Sequence, residues 1–249
     1  MFVVGGLLVL TAGPASAGTV LTPDQAYFLT SFSYSGYSVV NNTDVTISGP
    51  VGLNGTYGSG QIDLTGTGTN ANQILPAWCI DIFHDLQGSD NYAIVSPPFT
   101  TDGGNGGAGS SVITNTQLAE IGEVVHWGDI NINANTSNSP AAQLAIWTIE
   151  YQGTGDTFSS SSGAVNSLVT TLVGEAELNT LGPSALLEEV VDPGINQQGL
   201  VFEVALPTNT NLVTPLPSTW TMLIAGFAGL GFFAYRGTKK DAAALAAAA

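Results

Sequence analysis

The sequence predicts an α+β fold: a β-rich sheet or sandwich with an inserted helical subdomain, followed by one C-terminal transmembrane helix. Three observations lead there. Short alternating apolar runs broken by Gly and Asn fill both flanks of the chain. Two capped, helix-periodic segments lie between them. A long uncharged run with cations behind it closes the sequence. With 31 Gly and 12 Pro in 249 residues, turns and short strands are favoured over a helix bundle.

In chain order, residues 18 to 74 are rich in Thr, Ser, Gly and Asn, and Tyr37 to Val40, Val45 to Ile47 and Gln61 to Leu64 read as strands with tight turns. Leu75 to Leu86, LPAWCIDIFHDL, reads as a buried strand, with Tyr92 to Val95 as its hairpin partner before Pro97-Pro98. Asp102 to Ser111 is a glycine-rich loop. Thr114 with Gln117 can form a capping box for a helix carrying Leu118, Ile121 and Val125 on one face, and Gly128 is placed to end it. Ser139 as N-cap and Pro140 in the first turn open a second helix, AAQLAIWTIEY, and a third lies within Val165 to Leu178. Leu200 to Leu206 returns to strand, and residues 208–218 form a linker. Glu120 with Glu123, and Glu188 with Glu189, read as exposed acids.

Charge excludes whole classes of partner. The chain has 19 acids and three cations, and the cations are Arg236, Lys239 and Lys240, so after removing Asp241 residues 1 to 235 hold 18 acids and no Lys or Arg. Phosphate backbones and anionic lipid surfaces are recognised through Lys and Arg, so no nucleic-acid partner is expected. The single cysteine, Cys79, excludes an intramolecular disulfide.

The ends read as targeting segments. Phe2 to Leu10 is apolar and Ala15-Ser16-Ala17 is a small-x-small triplet, so residues 1–17 read as a signal peptide. Its usual basic start is missing ahead of Phe2, and the natural start is expected upstream. Residues 18–207 form the exported ectodomain. Residues 219–235, WTMLIAGFAGLGFFAY with the preceding Thr219, read as the membrane span, with Arg236, Lys239 and Lys240 holding the tail 236–249 in the cytoplasm. Pro215-Leu216-Pro217-Ser218-Thr219-Trp220, then the Gly-rich apolar run, then Arg and Lys, resembles the PEP-CTERM sorting signal of exosortase substrates in Gram-negative bacteria. That family usually has Glu where this chain has Leu216. The resemblance implies an exosortase-type processing enzyme as partner, the inner membrane as a transient anchor, and release to the cell surface or extracellular matrix.

The chemistry-bearing residues are Cys79 and Gln143. Cys79 sits in Trp78-Cys79-Ile80-Asp81, and Gln143 sits in Gln143-Leu144-Ala145-Ile146-Trp147 on a helix whose face at i, i+3, i+4 and i+7 carries Gln143, Ile146, Trp147 and Glu150. A buried amide needs a partner. A thiol and a carboxamide pressed together away from water can condense with loss of ammonia to an internal thioester. The two motifs resemble those of thioester domains in Gram-positive surface adhesins, although Ala142 stands where that family often has Thr. The resemblance implies a Cys79–Gln143 thioester with Trp78, Asp81, Ile146 and Trp147 around it. It further implies covalent attachment to an amine- or hydroxyl-bearing partner, and adhesion or matrix formation without enzymatic turnover.

Two other readings use the same residues. One is a structural or polysaccharide-binding matrix protein in which Cys79 is simply a buried thiol. The other is a secreted cysteine hydrolase with His84 or His126 as base and Asp81 or Asp85 as orienting acid. On a continuous strand, however, His84 faces away from Cys79. Asp81, Asp85 and Asp90, or Asp102 with its loop, show no calcium-loop spacing, and no cofactor or metal is expected.

Overall fold

The computed structural model describes residues 18–49, 55–101, 111–192 and 198–206. In chain order the elements are β1 (Thr19–Val20), α1 (Pro23–Ala26), β2 (Ser31–Val39), β3 (Thr43–Ser48), β4 (Gly55–Ser59), β5 (Ile62–Gly66), β6 (Gln73–Cys79), β7 (Asp90–Val95), α2 (Asn115–Asn131), α3 (Asn138–Glu150), β8 (Thr157–Ser160), α4 (Gly163–Glu177), β9 (Leu186–Val191) and β10 (Leu200–Val204).

The expected β-rich sheet or sandwich is instead a closed barrel. Strands run in the order β6, β10, β9, β7, β2, β5, and β5 pairs back onto β6 through Ile62↔Ala77 to Thr65↔Ile74, so six antiparallel strands close on themselves. Closure removes the unpaired edges that a sheet must otherwise protect. Part of the curvature comes from β2, where the pairing with β5 shifts register between Tyr34 and Tyr37 and Gly36 sits at φ +148°, a backbone conformation that glycine adopts without strain. Strand composition does not distinguish a sheet from a barrel; the register of the β5–β6 pair decides it. Inside, Phe32, Tyr34, Leu64, Leu75, Tyr92 and Phe202 are fully buried. The Tyr34 and Tyr92 rings stack at 5.3 Å while their hydroxyls donate to the carbonyls of Gln87 and Gln198.

A second correction concerns the membrane. Among the described residues no helix is long and apolar enough to cross one, so a transmembrane helix is not an element of the described fold. The run 219–235 with Arg236, Lys239 and Lys240, the signal segment 1–17, and the sorting motif of Pro215, Pro217, Ser218 and Trp220 all lie outside the described residues.

Several local expectations also shift. The apolar stretch from Leu75 does not stay extended to Leu86: β6 stops at Cys79, and the Asp81 carboxylate accepts from the Phe83 N–H at 2.8 Å, turning the chain. The chain is thereby carried away from β6, and β7 pairs with β2 and β9 rather than with β6. The Thr114–Gln117 capping box forms, but α2 runs past Gly128 to Asn131. Gly128 serves close approach, because a Cβ there would lie 2.6 Å from Cζ2 of Trp78. Gly128→Val is therefore expected to cost about 1–3 kcal/mol through overpacking, read as a lowered urea midpoint. The second helix starts at Asn138, with Ser137 rather than Ser139 as N-cap, because the Ser139 hydroxyl accepts the Gln61 backbone N–H at 2.8 Å instead.

The helices pack on one another, and β3, β4 and β8 form a separate antiparallel three-stranded sheet against them. Glu120 and Glu123 are buried rather than exposed, and so is Glu189 on β9.

Candidate functional site

Cys79 is the last residue of β6, and its place in the ladder creates the site. On one side β6 faces β10, where Leu200 is the Cα partner of Cys79 and the Ile80 N–H donates to the Gly199 carbonyl. On the other side the β5–β6 pairing ends at Ile62↔Ala77. Alternation turns the peptide groups of Cys79 toward this second side, two residues beyond the last strand partner.

The Gln143 side chain fills the gap. The Cys79 N–H donates to Gln143 Oε1 at 2.9 Å, and Gln143 Nε2 donates to the Cys79 carbonyl at 2.8 Å. A carboxamide thus completes the ladder where β5 has ended. Gln143 is buried because α3 is apolar nearly all round, with Leu144, Ala145 and Ile146 fully enclosed and Trp147 almost so. The N-terminus of α3 is fixed to the β4–β5 turn, since the Ser59 hydroxyl donates to the Pro140 carbonyl at 3.2 Å and Gln61 binds Ser139.

The thiol itself is enclosed and neutral. Cys79 is 2% exposed and Sγ donates to the Asp81 carbonyl at 3.2 Å. Burial, with the charges of Asp81 and Glu150 adding to it, pushes the thiol well above its ordinary pKa. The Trp147 indole N–H is buried without a full hydrogen bond and lies toward the thiol, where it partly offsets that rise. Glu150, one turn further along α3, has no hydrogen-bond partner for either carboxyl oxygen. Burial first, then the charges of Asp81 and Glu189, hold it well above the usual carboxylate range.

The remaining predicted residues divide by strand alternation. Asp81 is fully buried and Ile146 packs in the core. Trp78, adjacent to Cys79, points to the other face of the strand, where its indole N–H donates to Asp129 Oδ1 at 2.9 Å; it is not part of the thiol's surroundings. Asp129 also accepts from Gln61 Nε2, and burial pushes its carboxyl up to about 7. Sequence reading missed Asp129, whose partners lie 51 and 68 residues away.

His84 is also placed differently from expectation. Because the chain turns at Asp81, His84 folds back so that Nδ1 lies 2.7 Å from the fully buried Asp81 Oδ2. Asp81 Oδ2 also accepts from the Gly199 N–H at 3.4 Å. Burial raises the Asp81 pKa against the opposing hydrogen bonds from Phe83, His84 and Gly199. His126 is remote from all of this and pairs with Glu203 at 3.1 Å.

A cavity of about 330 Å³ opens onto this region, lined among others by Gln143, Trp147, His84, Asp85, Tyr37 and Tyr57. Cys79 is not one of its walls. A larger cleft of about 440 Å³, with Asp63, Asp129 and Glu203 in its lining, lies around α1 and β6 and does not reach the thiol. Among the described residues no group of three His, Cys, Asp or Glu side chains is placed to hold a metal ion.

The arrangement has a definite chemical capacity. The Cys79 N–H polarises the Gln143 side-chain carbonyl in the manner of an oxyanion donor. Comparison with protein-family models, with curated proteins and with solved structures finds no match. The functional reading therefore rests on these residues.

Proposed function

We propose that this chain is an exported cell-surface or extracellular-matrix protein whose barrel domain condenses Cys79 with Gln143 to an internal thioester and uses it for covalent attachment to a partner. The observation that carries the reading is the clamp of the Gln143 carboxamide on the Cys79 main chain. It seats the side-chain amide on the main chain of the cysteine, with both residues buried. In the condensation the Sγ–C bond forms at the Gln143 carbonyl carbon, the C–N bond breaks, and the nitrogen leaves as ammonia with the thiol proton. Export is supported by residues 1–17 and by the absence of Lys and Arg before position 236. The Pro215 to Trp220 motif supports processing by an exosortase-type enzyme.

The lysine-free domain bears on the choice of partner. Lysine amines open thioesters, and residues 1 to 235 contain none, so neighbouring copies do not consume one another through this domain.

A purely structural pairing is the competing reading, favoured by the satisfaction of both ends of the Gln143 amide. A cysteine hydrolase is disfavoured by the geometry, since the cavity reaches Gln143 and not Cys79 and the buried thiol bonds the Asp81 carbonyl rather than a histidine. Intact-mass measurement separates the first two. The chain is expected to weigh about 17 Da less than its sequence requires, the mass of one ammonia, and to gain methylamine at Gln143. A Cys79→Ala variant should show neither change. A full-mass wild-type chain that takes up no methylamine leaves the structural reading.

A further inference from the structure

The wall of the 330 Å³ cavity contains two amides besides Gln143, and each is tied to the main chain by one end only. Asn42 Oδ1 accepts the Ser59 backbone N–H at 3.1 Å, and among the described residues its Nδ2 donors have no partner. Gln198 Nε2 donates to the Asp81 carbonyl at 3.0 Å, and its Oε1 accepts from none of the described residues. These bonds orient both amides. Gly58 leaves room for the first, since a Cβ there would lie 2.8 Å from Asn42 Oδ1. The wall thus carries an oriented donor and an oriented acceptor.

Two aromatic rings share that wall. Tyr37, just past the irregularity in β2, is 43% exposed, and Tyr57 on β4 is half-buried. Asp85 also lines the cavity, and with no Lys or Arg before position 236 nothing there balances an anionic ligand.

We propose that this cavity is a reversible binding site for one ring of a neutral saccharide. A pyranose has an apolar C–H face suited to a tyrosine ring, and hydroxyls that both donate and accept, suited to one amide of each kind. The volume is at the lower end of the range for small-molecule sites, roughly 300–1,000 Å³, as a single ring requires. The site goes beyond the thioester and does not use it, because condensation would alter Gln143 and leave Asn42, Gln198, Tyr37 and Tyr57 unchanged.

The test titrates full-length wild type and full-length Cys79→Ala, which cannot form a thioester, with the methyl glycosides of glucose, galactose, mannose and N-acetylglucosamine. Saturation-transfer NMR reads binding. At least one of the four is expected to bind both proteins alike, with a millimolar dissociation constant. Tyr37→Ala should weaken that sugar about tenfold. Asn42→Asp keeps an oxygen for the Ser59 N–H and loses the donor, and should weaken it about fivefold. Methyl glucuronide should bind about fivefold more weakly than the best of the four. In the wild type, which needs no variant to fold, amide shifts on titration should gather at Asn42, Tyr57 and Gln198. Binding of none of the four, affinity unchanged in both variants, tighter binding of the glucuronide, shifts gathered at the cleft around Asp63, or binding lost in Cys79→Ala would each overturn the site. A full-mass wild type that still binds the sugar overturns the thioester and leaves this site standing.

Discussion

Replacing Gln143 by alanine is expected to destabilise the domain by about 3–5 kcal/mol and to abolish any ammonia deficit. The Cys79 N–H and carbonyl, both buried, would lose the carboxamide that now satisfies them. Each stranded group costs about 1–3 kcal/mol, and the truncated side chain leaves a void beside Trp147 that adds to this. Cys79→Ala is the informative comparison, because the Gln143 bonds go to the main chain at position 79 and survive that change. If the thioester forms, both variants also lose a covalent closure spanning 64 residues, worth about 4 kcal/mol by restriction of the unfolded chain. Urea denaturation of the three proteins, with masses taken on the same samples, separates the two contributions. Gln143→Ala should be the less stable variant, and equal stability would mean that the clamp does not hold the end of β6.

The second large effect is on pH dependence, and its direction is opposite to that of most globular domains. Asp129 is pushed up to about 7, and burial also raises Asp63, Asp81 and Glu150. A carboxyl whose pKa is higher in the folded chain binds its proton more tightly there. Its stabilisation is fully present below the unfolded value near about 4 and is lost progressively as pH rises, until the folded value is passed. The domain is therefore expected to be more stable at pH 5 than at pH 8. For Asp129 the span from 3.8 to about 7 sets a ceiling of about 4 kcal/mol, reduced because the side chain keeps some contact with solvent. Asp129→Asn retains an oxygen for the Trp78 and Gln61 donors and cannot ionise, so it should flatten the pH profile and gain stability at pH 8. A urea midpoint that rises from pH 5 to pH 8 in the wild type would contradict the upward shift that burial gives these acids.

What could be seen in the sequence was local. The capping box at Thr114 and Gln117 and the buried face of α3 follow from residues three to seven apart, and the structure places Gln143 on Cys79 with α3 and β6 bringing them together. What could not be seen depended on distant pairings. Barrel closure rests on the register of β5 with β6, and β9 was hidden because Glu188-Glu189 in its middle reads as solvent-exposed charge. His84 would face away from Cys79 only on a strand that continued past Asp81. The strand stops at the cysteine and Asp81 turns the chain through Phe83, so alternation no longer applies. The membrane helix failed as a statement about the described fold for another reason: hydropathy ranks a segment without placing it.

The position of β6 in the barrel sets the direction in which the site is presented. On one flank β6 is shared by two partners: β1 pairs with its first residues, Gln73 and Ile74, and β10 with its last, Trp78 and Cys79. Since β1 runs parallel to β6 and β10 antiparallel, the chain enters the domain at Gly18 and leaves it after Leu206 at the same pole, where the Ala205 N–H binds the Pro23 carbonyl. Cys79 is at the opposite end of the seven-residue β6, a distance of about 20 Å. The buried Cys79–Gln143 pair thus belongs to the pole of the barrel opposite the one that carries Gly18 and Leu206.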